Sequence, residues 1–200
     1  MKRFLKWSFY FLLVCLFLHT CVYHRMTHMN KEEVEWATNR HKGEMMYFKS
    51  NNGSIDTVEI CNVRVSNSLN PFTFAYFNTS NEKYTAGIHI NYAFNGSTAC
   101  EGTLLITKPY NDKPIYFSGG LFRVWSKKRI ILNLSKLVIN DVVYDDVVVF
   151  DDSNMAPITD LGQSKHIKSF AWSKKYGLVQ YAYQDGTVFS RIGIRQHEPQ

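Results

Sequence analysis

Apolar and polar residues alternate with period two over most of this chain, the pattern of half-buried β-strands. The alternation is densest near the C-terminal end, where KKYGLVQYAYQDGTVFSRI (174–192) holds two runs rich in Tyr, Val and Phe around Asp185-Gly186. That dipeptide supplies the two φ > 0 residues of a type I′ turn, so the stretch reads as a hairpin. A two-residue loop sets Tyr183 opposite Val188, Tyr181 opposite Ser190 and Val179 opposite Ile192. One face then carries Val179, Tyr181, Tyr183, Val188 and Ile192 and is expected to meet the core. The other carries Gln180, Ala182, Gln184, Thr187, Phe189 and Arg191 and is expected outside. LVINDVVYDDVVVF (137–150) reads as a second hairpin turning at Asn140-Asp141, with Leu137 opposite Tyr144 and Lys136 opposite Asp145.

Further strands are expected at 45–50, 57–66, 72–77, 84–94 and 98–108. Asn51-Asn52-Gly53, Asn70-Pro71 and Asn95-Gly96 punctuate them. Pro109 and Pro114 bracket a turn, 115–118 and 121–126 flank a turn at Gly119-Gly120, 130–134 is apolar on one face, and 151–162 is a loop. One helix stands apart from this pattern: Asn30 is a good N-cap, Glu32 and Glu33 suit the first turn, and Gly43 is a stop, which gives a helix over 31–40. Ten to twelve short strands without alternating long helices make the chain mainly β, an antiparallel sheet with one short N-terminal helix.

The first twenty residues are different in kind. Lys2, Arg3 and Lys6 precede an apolar run, 8–18, that is about half of the ~20 residues needed to span a bilayer, so 1–20 reads as a signal peptide. Residues 21–30 then form a polar tether, and 31–200 a single β-rich domain. Leu18-His19-Thr20-Cys21 resembles a bacterial lipobox, with Thr20 where Gly, Ala or Ser is usual. The resemblance implies diacylglyceryl on the Cys21 sulfur and cleavage that makes Cys21 the new N-terminus; an ordinary secreted or signal-anchored protein is the alternative. With Cys15 in the leader and Cys21 lipidated, Cys61 and Cys100 remain as an even pair, either one disulfide or two buried thiols.

Loss of the leader lowers the formal charge of +6 to about +3, and the basic residues that remain are scattered, with only Lys127-Lys128-Arg129 and Lys174-Lys175 as short runs. Such runs are solvated turn residues, and no nucleic-acid partner is expected. His24 and His28 lack a third ligand, and Asp145-Asp146 and Asp151-Asp152 lack the spacing and glycine of a calcium loop, so no metal is expected. A nucleophile elbow, a Walker loop, a dinucleotide fingerprint, HExxH and CxxC are absent, and neither catalysis nor a cofactor is expected. Four Asn-x-Ser sequons, at Asn52, Asn78, Asn95 and Asn133, bear on function only in a eukaryotic secretory chain.

Tyr144-Asp145-Asp146-Val147-Val148 after Ile139-Asn140-Asp141, then Tyr176-Gly177-Leu178-Val179 and Asp185-Gly186-Thr187, resemble the C-terminal third of small uncharacterised envelope lipoproteins of Bacteroidota. The resemblance implies a curved antiparallel sheet, as a half-barrel or sandwich, on an outer-membrane lipoprotein, and carries no catalytic residues with it. Two functions follow as expectations. The first is a noncatalytic, lipid-anchored cell-envelope protein acting as an interaction or structural module for an envelope partner. The second is a carrier whose aromatics Phe72, Phe74, Tyr76, Phe77, Tyr92 and Phe94 line a cavity for an apolar ligand.

Overall fold

The structure, a computed structural model, describes residues 2–25, 27–66, 86–127, 130–131, 133–156 and 166–193. Two helices, α1 (Lys2–Arg25) and α2 (Lys31–Thr38), precede eleven strands: β1 (Met45–Ser50), β2 (Ile55–Ser66), β3 (Ala86–Phe94), β4 (Gly102–Lys108), β5 (Tyr116–Leu121), β6 (Val124–Trp125), β7 (Ser135–Ile139), β8 (Val142–Phe150), β9 (Ile167–Ser173), β10 (Gly177–Tyr183) and β11 (Val188–Ile192). All strands join one antiparallel sheet in the order β6-β5-β4-β3-β2-β1-β11-β10-β9-β8-β7. The chain therefore meanders outward in both directions from a central β1–β11 pair, the one ladder among the described strands that joins distant parts of the sequence.

The sheet is open but strongly curled. Tyr92 on β3 and Trp172 on β9 belong to strands five positions apart, which a flat sheet would hold about 24 Å apart; their ring centroids are 5.9 Å apart. The curl brings the region beside β6 to the chain just past β8, where Ser126 bridges Met155 and Ala156 N donates to Trp125 O at 2.8 Å. The enclosed space is filled by the chain's own side chains, among them Phe48, Ile60, Ile90, Tyr92, Leu104, Phe150, Phe170, Trp172 and Tyr181.

Helix α2 begins with a capping box: Asn30 Oδ1 accepts from Glu33 N and Glu33 Oε2 accepts from Asn30 N, both at 2.8 Å. It ends at Thr38, two residues before the expected boundary, and lays Trp36 edge-on against Phe117 with centroids 5.1 Å apart. Lys108 Nζ holds Glu33 at 2.8 Å beside this contact. Thr27 and Met29, within the stretch read as a tether, are already buried against the domain.

The two hairpins exchange their expected characters. Asn140 and Asp141, with φ of 49° and 64°, form the two-residue turn, and Leu137 faces Tyr144 as expected. The Lys136–Asp145 pairing does not form, because a bulge at Asp145-Asp146 places Ser135 opposite Val147. The second hairpin is one residue out of the expected register: Tyr181 faces Phe189 and Ala182 faces Val188. Its loop is Gln184-Asp185-Gly186, in which only Gly186 takes a positive φ (88°) and Asp185 Oδ1 accepts from Thr187 N at 2.8 Å. This is the three-residue type I plus αL turn, and Asn51-Asn52-Gly53 between β1 and β2 repeats it with Gly53 at φ 94°.

The corrected register turns Phe189 and Arg191 inward and leaves Val188 half-buried on the outer side. A bulge at Val179 adds a second correction: Leu178 and Tyr181 face the main core, whereas Val179 faces a smaller cluster. In that cluster Ile139, Tyr144 and Val147 cover Ala171 and Val179 on the opposite side of the sheet. The β7–β8 hairpin, bent at its bulge, therefore folds over the back of β9 and β10.

Gly119-Gly120 is not a turn. Both glycines lie inside β5, where a Cβ on Gly119 would stand 2.8 Å from the Trp172 ring and one on Gly120 2.7 Å from the Trp125 ring. The turn falls at Phe122-Arg123, whose φ of 48° and 67° are costly for bulky residues. Phe122 is held there by Phe94, with centroids 4.4 Å apart. The expected strand at 72–77 and the break at Asn70-Pro71 lie outside the described residues, and so do Lys128 and Arg129.

Candidate functional site

Strand β1 alternates strictly, with Met46 and Phe48 inward, and the same period carries Glu44 just ahead of it to the interior side. On β11 the period that buries Phe189 does the same for Arg191. Arg40 arrives from the chain that leaves α2, with Arg40 N bonded to Ala37 O at 3.0 Å. Three charged side chains thus converge, with exposures of 6% for Arg40, 16% for Glu44 and 13% for Arg191.

Glu44 Oε1 accepts from Arg40 Nη1 at 3.1 Å and lies 4.0 Å from Arg191 Nη2. Each guanidinium also donates to a carbonyl in the β9–β10 turn, Arg40 to Lys175 O and Arg191 to Tyr176 O. Gly177 leaves the space: at φ 79° it is in left-handed backbone, and a Cβ there would stand 3.1 Å from Arg40 Nε. The arrangement ties α2, β1, β11 and the β9–β10 turn together.

Its electrostatics are unbalanced, two cations against one carboxylate. Burial lowers the Arg191 pKa, and the nearby Arg40 lowers it further, while Glu44 opposes the shift. Tyr92, fully buried beside these groups, has its phenol pKa raised by burial. Its Oη, the Trp172 Nε1 and the Glu44 Oε2 are buried without a hydrogen-bond partner among the described residues. Buried polar atoms of this kind are few in folded chains and mark either bound water or stored cost. Through these bonds the cluster holds the β9–β10 turn against β1 and β11.

The expected site residues fall in three places. Cys21 lies in the helical backbone of α1, with its side chain outside the described residues. The apolar side chains of α1 that are described, including Phe4, Trp7, Phe9, Phe11, Leu12, Leu13 and Val14, are exposed. No helix among the described residues is long and apolar enough to cross a membrane. Cys61 and Cys100 are free thiols, the first half-buried and the second exposed. Burial, and after it the neighbouring Cys100 thiol, pushes the Cys61 thiol up to about 12.

The paired aspartates have structural partners. Asp146 accepts from Ser173 Oγ and Lys175 N, both at 2.7 Å, which caps the β9–β10 turn from the bulge on β8. Asp151 accepts from Ser153 Oγ at 2.6 Å in the turn after β8. Of the aromatics read as a ligand lining, Tyr92 and Phe94 are packed in the core, and Phe72, Phe74, Tyr76 and Phe77 lie outside the described residues.

The Arg40–Glu44–Arg191 cluster was not expected from the sequence. Glu44 was legible, since it shares a period-two phase with Met46 and Phe48; Arg191 was not, because its face depends on the loop length at 184–186. Set against known protein families, curated proteins and solved structures, the chain finds no match in any of the three.

Proposed function

We propose that this chain is a noncatalytic, lipid-anchored module of a bacterial cell envelope, attached through acyl chains on Cys21 and resembling outer-membrane lipoproteins of Bacteroidota. The observation that carries the reading is the contrast between the two parts of the chain. The sheet encloses an interior filled by its own side chains, whereas the described apolar side chains of α1 are exposed. An apolar helix beside a self-sufficient domain suits a leader or anchor, and two or more acyl chains give stable attachment where one does not.

The β-domain serves as an interaction or structural module. Its exposed apolar side chains support this, with Trp125 on one edge strand, Val138 on the other, and Ile131 and Leu134 in the connection between them. Fatty-acid analogue labelling in a bacterial host tests the anchor. Wild type is expected to take label and Cys21→Ser to lose it; equal labelling of both would overturn the assignment. Native mass spectrometry of detergent-free protein tests the alternative, an apolar-ligand carrier, which requires a retained lipid.

A further inference from the structure

We propose that the β4–β5 connection, residues 109–115, lies against the membrane and meets its polar–apolar boundary, so that the β3–β4 and β10–β11 turns face away from it. This orientation rests on the anchor at Cys21 proposed above. The length of chain behind that anchor carries the argument. Thr27 Oγ1 donates to Pro109 O at 3.0 Å, and His28 N donates to Asn111 Oδ1 at 2.7 Å. Thr27 and Met29 are both buried, so the chain is committed to the domain from Thr27 onward. Only residues 22–26 stand between the anchor and that docking point. Six Cα steps reach roughly 20 Å when fully extended, and less where α1 keeps its helical backbone to Arg25.

The strand pairing decides what stands at each end of the sheet. Lys108, just before the connection, pairs with Ala86 at the start of β3. At the other end of β3, Asn95 Oδ1 accepts from Thr57 N at 3.0 Å, which sets the β3–β4 turn beside the start of β2. Asn51 N donates to Val188 O at 3.0 Å and joins the β1–β2 and β10–β11 turns there. Strand β3 spans nine residues between these two ends, a length of roughly 25 Å. A domain turned end for end would require the tether to run that length before reaching Pro109, and six steps are too few.

The side chains of the connection suit a membrane surface. Residues 110–114 are all exposed. Lys113 N donates to Tyr110 O at 3.1 Å, a turn bracketed by Pro109 and Pro114 that holds Tyr110 out with 51% of its surface exposed. Tyrosine concentrates at membrane surfaces because its ring takes the apolar side and its hydroxyl the wet side. Lys113 closes the same turn with its ammonium 3.5 Å from Asp112 Oδ2, both groups in solvent, where a cation is drawn to anionic headgroups. Val65, exposed opposite Ile88 near this end of β2, adds an apolar side chain.

The test uses full-length protein made in a bacterial host, with p-benzoylphenylalanine replacing Tyr110 in one variant and Thr98 in another. Thr98 is exposed in the connection from β3 to β4, at the far end. Membranes are irradiated and phospholipid adducts on the protein are read by mass spectrometry, while fatty-acid analogue labelling is read separately on the same variants. The expected result is adduct at position 110 and none at 98. No adduct at 110, or as much at 98 as at 110, overturns the orientation, and label retained in that protein leaves the anchor standing. Adduct confined to 110 in protein without label supports the orientation and removes the anchor on Cys21.

Discussion

In one region of the curled interior Phe48, Phe94, Phe122, Tyr181, Tyr183 and Phe189 pack ring on ring; in another Arg40, Glu44 and Arg191 meet around the Tyr92–Trp172 pair. In the aromatic region Tyr181 Oη donates to Asp56 Oδ2 at 2.5 Å. Its rings hold by buried area and by edge-on or stacked geometry, terms that change little with salt. The charged region pays desolvation for three ions and leaves Glu44 Oε2, Tyr92 Oη and Trp172 Nε1 without a hydrogen-bond partner among the described residues. One region supplies stability; the other spends some of it to fix which turn sits where.

Truncating the aromatic region should have the largest effect. Phe189→Ala, which removes a ring stacked 5.0 Å from Tyr181, is expected to cost about 3–5 kcal/mol in urea unfolding. Val188→Ala should cost less than about 1 kcal/mol, because Val188 is half-buried on the outer side. The opposite ranking would restore the two-residue loop and undo the comparison.

Breaking the charged region comes next. Glu44→Ala leaves two largely buried guanidiniums without a counter-charge and is expected to cost about 3 kcal/mol. Replacing Glu44 and Arg191 together by leucine should cost less than Glu44→Ala alone. If the double variant is the less stable of the two, the charges contribute more than register.

Alkaline titration probes both regions at once. Burial raises the phenol pKa of Tyr92 and Tyr181 above the usual 10, and in Tyr181 the bond to Asp56 raises it further. Above pH 10 the unfolded chain loses these protons first, so the folded state binds more. The tyrosines' stability is therefore complete below pH 10 and falls as pH rises, by about 1.4 kcal/mol per pH unit for each. Unfolding free energies measured between pH 9 and 11.5 should bend downward near pH 10; a flat profile would mean that the phenols are accessible.

The smallest effects separate a satisfied hydroxyl from an unsatisfied one. Tyr181→Phe should cost about 1.5–2 kcal/mol, since it leaves Asp56 without its donor. Tyr92→Phe should lie within about 0.5 kcal/mol of wild type or stabilise, because its Oη makes no hydrogen bond of normal geometry among the described residues. A large loss in Tyr92→Phe would show that a bound water or ligand completes that site.

Much of the fold was legible. The N-cap at Asn30, the turns at Asn95-Gly96 and Asn140-Asp141, and most strands lie where local sequence places them. Strand β9 was missed for a physical reason: the bulge at Lys168 puts Ile167, Phe170 and Trp172 on one face, a spacing that no period-two search detects. Gly119-Gly120 misled because glycine marks turns by its backbone freedom, and here it serves by having no side chain beneath two tryptophans.

By itself the sequence determined the elements: where alternation makes strands, where a cap starts a helix, and where Asn, Asp and Gly permit left-handed backbone, all decided by residues within a few positions of one another. Only the tertiary structure decided which faces point inward. Bulges at Cys61, Lys168 and Val179 each reset the period of two, and the loop at 184–186 shifted a whole strand by one residue. Those choices belong to the neighbouring strand and to the packing across the curl, so the charged cluster exists only once distant strands have met.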